Sequence, residues 1–192
     1  MKIFKTLTAI VFASSLLVAC SGGVQYTDPG AVDTTGLGFG STDLQTTVQT
    51  MVSGLLTFPP VVQLTSKERP ILFVAGVKNT TNQQINTDMI NNMMMTQLIQ
   101  SGKFRFTDMS VVKKMRDQLN YQSDSGNVDP QSVIKIGQQV GAQYMLYGSV
   151  SAIEKSGDGK TSMYFLVSMR LMNIKTGIVE WADQKQIRKV QS

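Results

Sequence analysis

The stretch from Tyr144 to Ile174 limits what this chain can fold into more than any other. Tyr144 to Ile153 and Met163 to Ile174 each alternate apolar and polar residues, with Ser156-Gly157-Asp158-Gly159 between them. Successive side chains of a strand point to opposite faces, so a period of two marks a strand with one face in a core, and a Gly- and Asp-rich break between two such runs marks a hairpin turn. Lys175-Thr176-Gly177 makes a second turn into a last strand containing Val179 and Trp181. An antiparallel meander therefore ends the chain, and its apolar face needs a cover.

The preceding residues supply one. Asp43 is placed to cap a helix whose Leu44, Val48, Met51, Val52, Leu55 and Leu56 share one face, and Pro59-Pro60 stops it. Pro70 opens Ile71 to Val77, a continuous apolar run of strand length that predicts a buried central strand. After the polar loop Lys78 to Gln84, a helix runs from about Thr87 to Ser101 with Gly102 just past its end, and Lys103 to Thr107 alternates as a half-buried strand. Asp108 or Ser110 caps a third helix carrying Val111, Val112, Met115 and Leu119 inward, and Gln122 to Val128 is a polar loop. Asp129, Pro130 and Gly141 punctuate a short fourth helix as N-cap, first residue and stop. The order αβαβααβββ predicts a single small α/β (α+β) domain, a mixed sheet with helices mainly on one face and a C-terminal antiparallel meander. No internal repeat is visible.

The other end of the chain addresses location. Lys2 and Lys5 precede an apolar run from Leu7 to Val18 that is too short to span a bilayer comfortably and reads as a signal peptide. Its end, Leu17-Val18-Ala19-Cys20, resembles a bacterial lipobox. That resemblance implies cleavage after residue 19 and lipidation of Cys20 with a thioether-linked diacylglycerol and an acylated amine; an ordinary secretory cleavage site is the other reading. Ser21, where an aspartate commonly retains such proteins at the inner membrane, points by the same resemblance to the outer membrane. Residues 1–19 are thus the expected signal, 20–42 the lipidated cysteine with a Gly- and Thr-rich flexible tether, and 43–192 the globular domain.

Composition excludes most chemistries. Histidine is absent and Cys20 is the only cysteine, which removes the commonest general base, the commonest metal ligands and any internal disulfide. No metal or cofactor is expected. Asp124 and Asp129 suit turn and cap roles better than calcium binding. The formal charge of +5 falls by two when Lys2 and Lys5 are removed, and no basic stripe argues for nucleic acid. Ser110-Val111-Val112-Lys113, Ser125-Gly126-Asn127 and Lys175-Thr176-Gly177 match, in order, the short motifs of serine penicillin-binding enzymes. Each match is cheap. Lys113 lies among Lys114 and Arg116 on the polar side of its helix, and the bland readings are a cap, a loop and a turn. No catalytic residue is therefore assigned. Met89, Met93, Met94 and Met95 crowd one helix, mostly as core filler with an outward one available to a partner, and Tyr144, Tyr147 and Tyr164 read as half-buried strand residues.

Several segments together resemble the LpoB family of outer-membrane lipoproteins that activate bifunctional penicillin-binding proteins. They are the lipobox; Leu72 to Asn82; Ser101-Gly102-Lys103-Phe104; Val140 to Gly148; and Leu171 through Trp181. The resemblance implies a non-enzymatic regulator with a fold related to the N-terminal domain of TolB and to periplasmic CsgG. It would touch a docking domain of a class A penicillin-binding protein and stimulate peptidoglycan synthesis. Better-known members have a long proline-rich linker after the cysteine; this chain has a short Gly- and Thr-rich one, so reach to an inner-membrane synthase is in question. No contact residue carries over. The alternative is a structural or adaptor subunit of an outer-membrane assembly related to CsgG.

Overall fold

The structure, a computed structural model, describes residues 25–107 and 130–192. Residues 25–31 belong to a separate compact body from the unit beginning at Val32, which contains all the described helices and strands. These are α1 (Ser41–Thr57), α2 (Pro59–Lys67), β1 (Ile71–Asn79), α3 (Thr87–Gln100), β2 (Arg105–Phe106), α4 (Pro130–Gln139), β3 (Tyr144–Gly157), β4 (Lys160–Asn173) and β5 (Val179–Gln191). The helix expected after Asp108 or Ser110 and the loop 122–128 lie outside the described residues.

One mixed sheet has the order β2-β1-β3-β4-β5. β1 runs parallel to both neighbours, and β3, β4 and β5 form the expected antiparallel meander. Both long strands extend beyond their apolar runs, because Glu154 to Gly157 pair with Lys160 to Met163 and leave only Asp158 and Gly159 for the turn. These two have φ of 52° and 70°, the left-handed pair that matches strand twist in a two-residue hairpin.

α1, α2 and α3 close one face over a core of Val48, Met51, Leu55, Val61, Ile90, Met94, Leu98, Leu146, Val150, Phe165, Val167 and Leu171. α4 covers part of the opposite face through Ile136, with Phe73, Met145, Met172 and Ile174. Gly137 makes this contact close, since a Cβ there would come to 2.8 Å from Ile174 Cδ1. Gly148 is tighter still: a Cβ would run into the carbonyl oxygen of Ser168 and the sulfur of Met169.

Four expectations need correction. Asp43 does not cap α1 as its first flanking residue; Gly40 holds that position, and Asp43 sits one turn in, its carboxylate accepting from the Gly40 N–H at 2.8 Å. Pro59-Pro60 ends α1 but also opens α2, since proline at the first helical position loses no hydrogen bond. The strand over Lys103 to Thr107 shrinks to Arg105–Phe106 because Phe104 turns into the core, 1% exposed. The flexible tether expected over 20–42 does not extend to its end: residues 32–42 pack on the domain.

That last segment is held at several points. Leu37 and Phe39 lie against the core, and the Phe39 ring meets Phe165 edge-on with centroids 5.5 Å apart. Lys189 Nζ donates to Gly38 O at 2.7 Å and pairs with the buried Asp43 carboxylate at 2.6 Å. Asp33 binds the Thr35 hydroxyl and accepts from the N–H groups of Thr35 and Ser41 at 3.0 and 3.3 Å. These bonds hold the Asp33 carboxyl below its ordinary pKa, the Thr35 hydroxyl contributing most.

Candidate functional site

The sequence motifs resolve into ordinary structure where they are described. Lys175-Thr176-Gly177 is a turn: Asn173 Oδ1 accepts from the N–H groups of Lys175 and Thr176 at 3.0 and 3.2 Å, and the Thr176 hydroxyl accepts from Ile178 N–H at 3.2 Å. The Asn173 amide oxygen and the Thr176 hydroxyl are thus both bonded to the backbone of the turn. Ser110, Lys113, Ser125, Asn127 and Cys20 lie outside the described residues. Among the described residues no group of three or more acidic or cysteine side chains could hold a metal, and no helix is long and apolar enough to cross a membrane.

Strand alternation sorts the two faces of the sheet. On β4, Met163, Phe165, Val167, Met169 and Leu171 enter the large core, so Tyr164, Leu166, Ser168 and Arg170 point the other way. Opposite them on β3 stand Ile153, Ser151, Ser149 and Tyr147 in that order. All eight are half-buried or exposed. The Tyr147–Arg170 and Ile153–Tyr164 pairs place aromatic, aliphatic and guanidinium groups on one rigid surface, the mixture enriched in the contact centres of protein interfaces. Tyr147 also leans on the small cluster beneath α4, which fixes its ring.

Two hollows lie elsewhere on the domain. At one end of the sheet, Glu68, Gln143, Tyr144, Asn173 and Lys175 line a polar cleft of about 530 Å³. Burial, and then the carboxylates of Glu180 and Glu68, push the Tyr144 hydroxyl above the ordinary tyrosine pKa, so it stays a neutral donor. On the helical side, an apolar hollow is lined by Phe39, Leu44, Ile85, Met89 and Met93. Of the three consecutive methionines, Met94 is buried in the core while Met93 and Met95 are half-buried, and Met89, one turn earlier, is 51% exposed.

A search among known protein families matches residues 43–187 to the model described as peptidoglycan-synthase activator LpoB. The chain belongs to the LpoB family. Relatives named penicillin-binding protein activator LpoB include that of Dickeya dadantii, 26% identical over 119 residues covering 62% of this chain and 57% of the relative. The Escherichia coli protein of the same name is 27% identical over 114 residues, covering 59% and 50%. The chain thus spans about half the length of the curated relatives it matches. The LpoB C-terminal domain from Escherichia coli superposes with a TM-score of 0.56 at 25% identity, over 76% of this chain and 98% of that one. The Salmonella enterica domain gives 0.55 at 23% identity, over 76% and 98%. The α+β fold with a five-stranded mixed sheet is therefore that of LpoB C-terminal domains. The relatives are named as activators and not as enzymes.

The tyrosines were visible in the sequence as half-buried strand residues, but their arrangement with Arg170 was not. Arg170 interrupts the apolar run of β4 as any outward residue does, and only the register shows that Tyr147 stands beside it.

Proposed function

We propose that this chain is a non-enzymatic activator that binds a class A penicillin-binding protein and stimulates its peptidoglycan synthesis, and that Tyr147, Tyr164 and Arg170 lie in the contact. The family match across residues 43–187 carries this reading, because it covers nearly the whole folded unit. An activator needs no reactive group. It acts by binding the active state of its partner more tightly than the inactive one, and a differential of ~1.4 kcal/mol shifts that equilibrium tenfold.

The same proposal places the chain on the periplasmic face of the outer membrane, anchored by lipid on Cys20. Two or three acyl chains, each contributing ~0.8 kcal/mol per buried methylene, would hold it there. In this reading the tether is the stretch 21–31, ahead of the unit that begins at Val32. About eleven residues reach at most ~40 Å fully extended, so contact with an inner-membrane synthase requires that the partner extend toward the outer membrane.

The test adds the chain from Ser21 onward to class A penicillin-binding proteins of the same organism and follows glycan polymerisation. A rate that rises and saturates near one chain per synthase supports the activator reading. Unchanged rates with a folded chain contradict it.

A further inference from the structure

Among the described residues β5 is an outer strand, paired with β4 on one side only. The main-chain N–H of Gln184 donates to Oδ1 of the adjacent Asp183 at 2.7 Å. That N–H is therefore directed off the edge and not toward β4. The two-residue period then directs the main-chain groups of Ala182, Gln186 and Arg188 the same way, and all four residues are exposed. A strand edge of this kind is a template for another strand.

The side chains of β5 are self-complementary. If a second copy pairs antiparallel, outward-bonding residues must face outward-bonding residues, so the register can move only in steps that keep even numbers opposite even numbers. With Gln184 on the two-fold axis, Glu180 faces Arg188 of the second copy and Asp183 faces Lys185, each contact occurring twice by symmetry. Ile178 then meets Val190, and these two are 57% and 58% exposed in the single chain. One step in one direction sets Asp183 against Asp183. One step in the other sets Lys185 against Lys185. Like charges directly opposite destabilise a strand pair, so both neighbouring registers are penalised.

We propose that the chain pairs with a second copy of itself along β5, in the register centred on Gln184, joining two five-stranded sheets into one. In the single chain Asp183 occupies the edge, capping the Gln184 N–H; on pairing it releases that N–H to the second copy and turns to Lys185. Exposed ion pairs contribute little individually, so they choose the register while the main-chain ladder holds the strands.

Cysteine cross-linking of the full chain, carrying Cys20→Ser and purified in detergent, tests this. Gln184→Cys sits on the axis, with Cα atoms about 5.5 Å apart and within disulfide range, so it is expected to form a dimer under mild oxidation. Gln186→Cys alone places its thiols about 14 Å apart along the strands and is expected to stay monomeric. A mixture of Ala182→Cys and Gln186→Cys chains is expected to cross-link. Adding Asp183→Lys to Gln184→Cys should abolish the dimer, and adding Lys185→Asp as well should restore it. Absence of the Gln184→Cys dimer with unchanged circular dichroism would overturn the proposal, as would equal cross-linking by Gln186→Cys alone.

Discussion

The two faces of β4 differ by one residue in phase and almost completely in physical role. Phe165, Val167, Met169 and Leu171 are at most 1% exposed beneath three helices, while Tyr164, Leu166, Ser168 and Arg170 between them keep contact with solvent. A single strand therefore carries the stability of the domain on one side and, in the function proposed above, the partner contact on the other. Substitutions at adjacent positions should separate the two.

The largest effect is expected from Phe165→Ala, which empties a fully buried site and removes the ring against Phe39. A loss of about 3–5 kcal/mol in urea denaturation is expected, and a loss below about 1 kcal/mol would show that the helical face is not the tight side. Gly148→Ala comes next, since its Cβ meets backbone and cannot be relieved by a side chain alone. About 1–3 kcal/mol of destabilisation should follow, measured the same way. Lys189→Met strands the buried Asp43 carboxylate with the Gly40 N–H and releases residues 32–40. Discounting for the partial exposure of Lys189, ~1–3 kcal/mol is expected, with faster hydrogen exchange at Gly38 to Ser41 as the specific sign.

Smaller effects sharpen the contrast. Thr47 Oγ1 is buried without a hydrogen-bond partner among the described residues, so Thr47→Val should stabilise by up to about 1 kcal/mol. For Asp33 the folded pKa is depressed, so its contribution is complete above the ordinary aspartate range and fades as pH falls through the lower folded value. Below that range amide exchange at Thr35 and Ser41 should quicken, an effect that Asp33→Asn removes.

Much of the tight side was legible in the sequence because burial leaves a period. The stripe of α1 and the alternation of β3 and β4 each name core residues directly. The segment 32–42 was not legible, since its glycines and threonines argue for a coil by average composition, whereas two side chains, Leu37 and Phe39, decide the outcome. α2 was hidden by reading Pro59-Pro60 only as a stop. The outer side leaves a weaker signal: an outward tyrosine on a strand looks the same whether it meets water or a partner, and its neighbours are set by a register that local sequence does not specify.

The proposed function puts partner contact on the outer face of the sheet, whereas stability resides on the inner one. The most direct measurement is glycan polymerisation by the class A penicillin-binding proteins of the same organism, titrated with the chain carrying Tyr147→Ala, Tyr164→Ala and Arg170→Ala together. The expected result is a folded chain whose stimulation is lost or needs at least about tenfold more protein, the equivalent of ~1.4 kcal/mol of binding. Stimulation at the unsubstituted chain's concentration would contradict it.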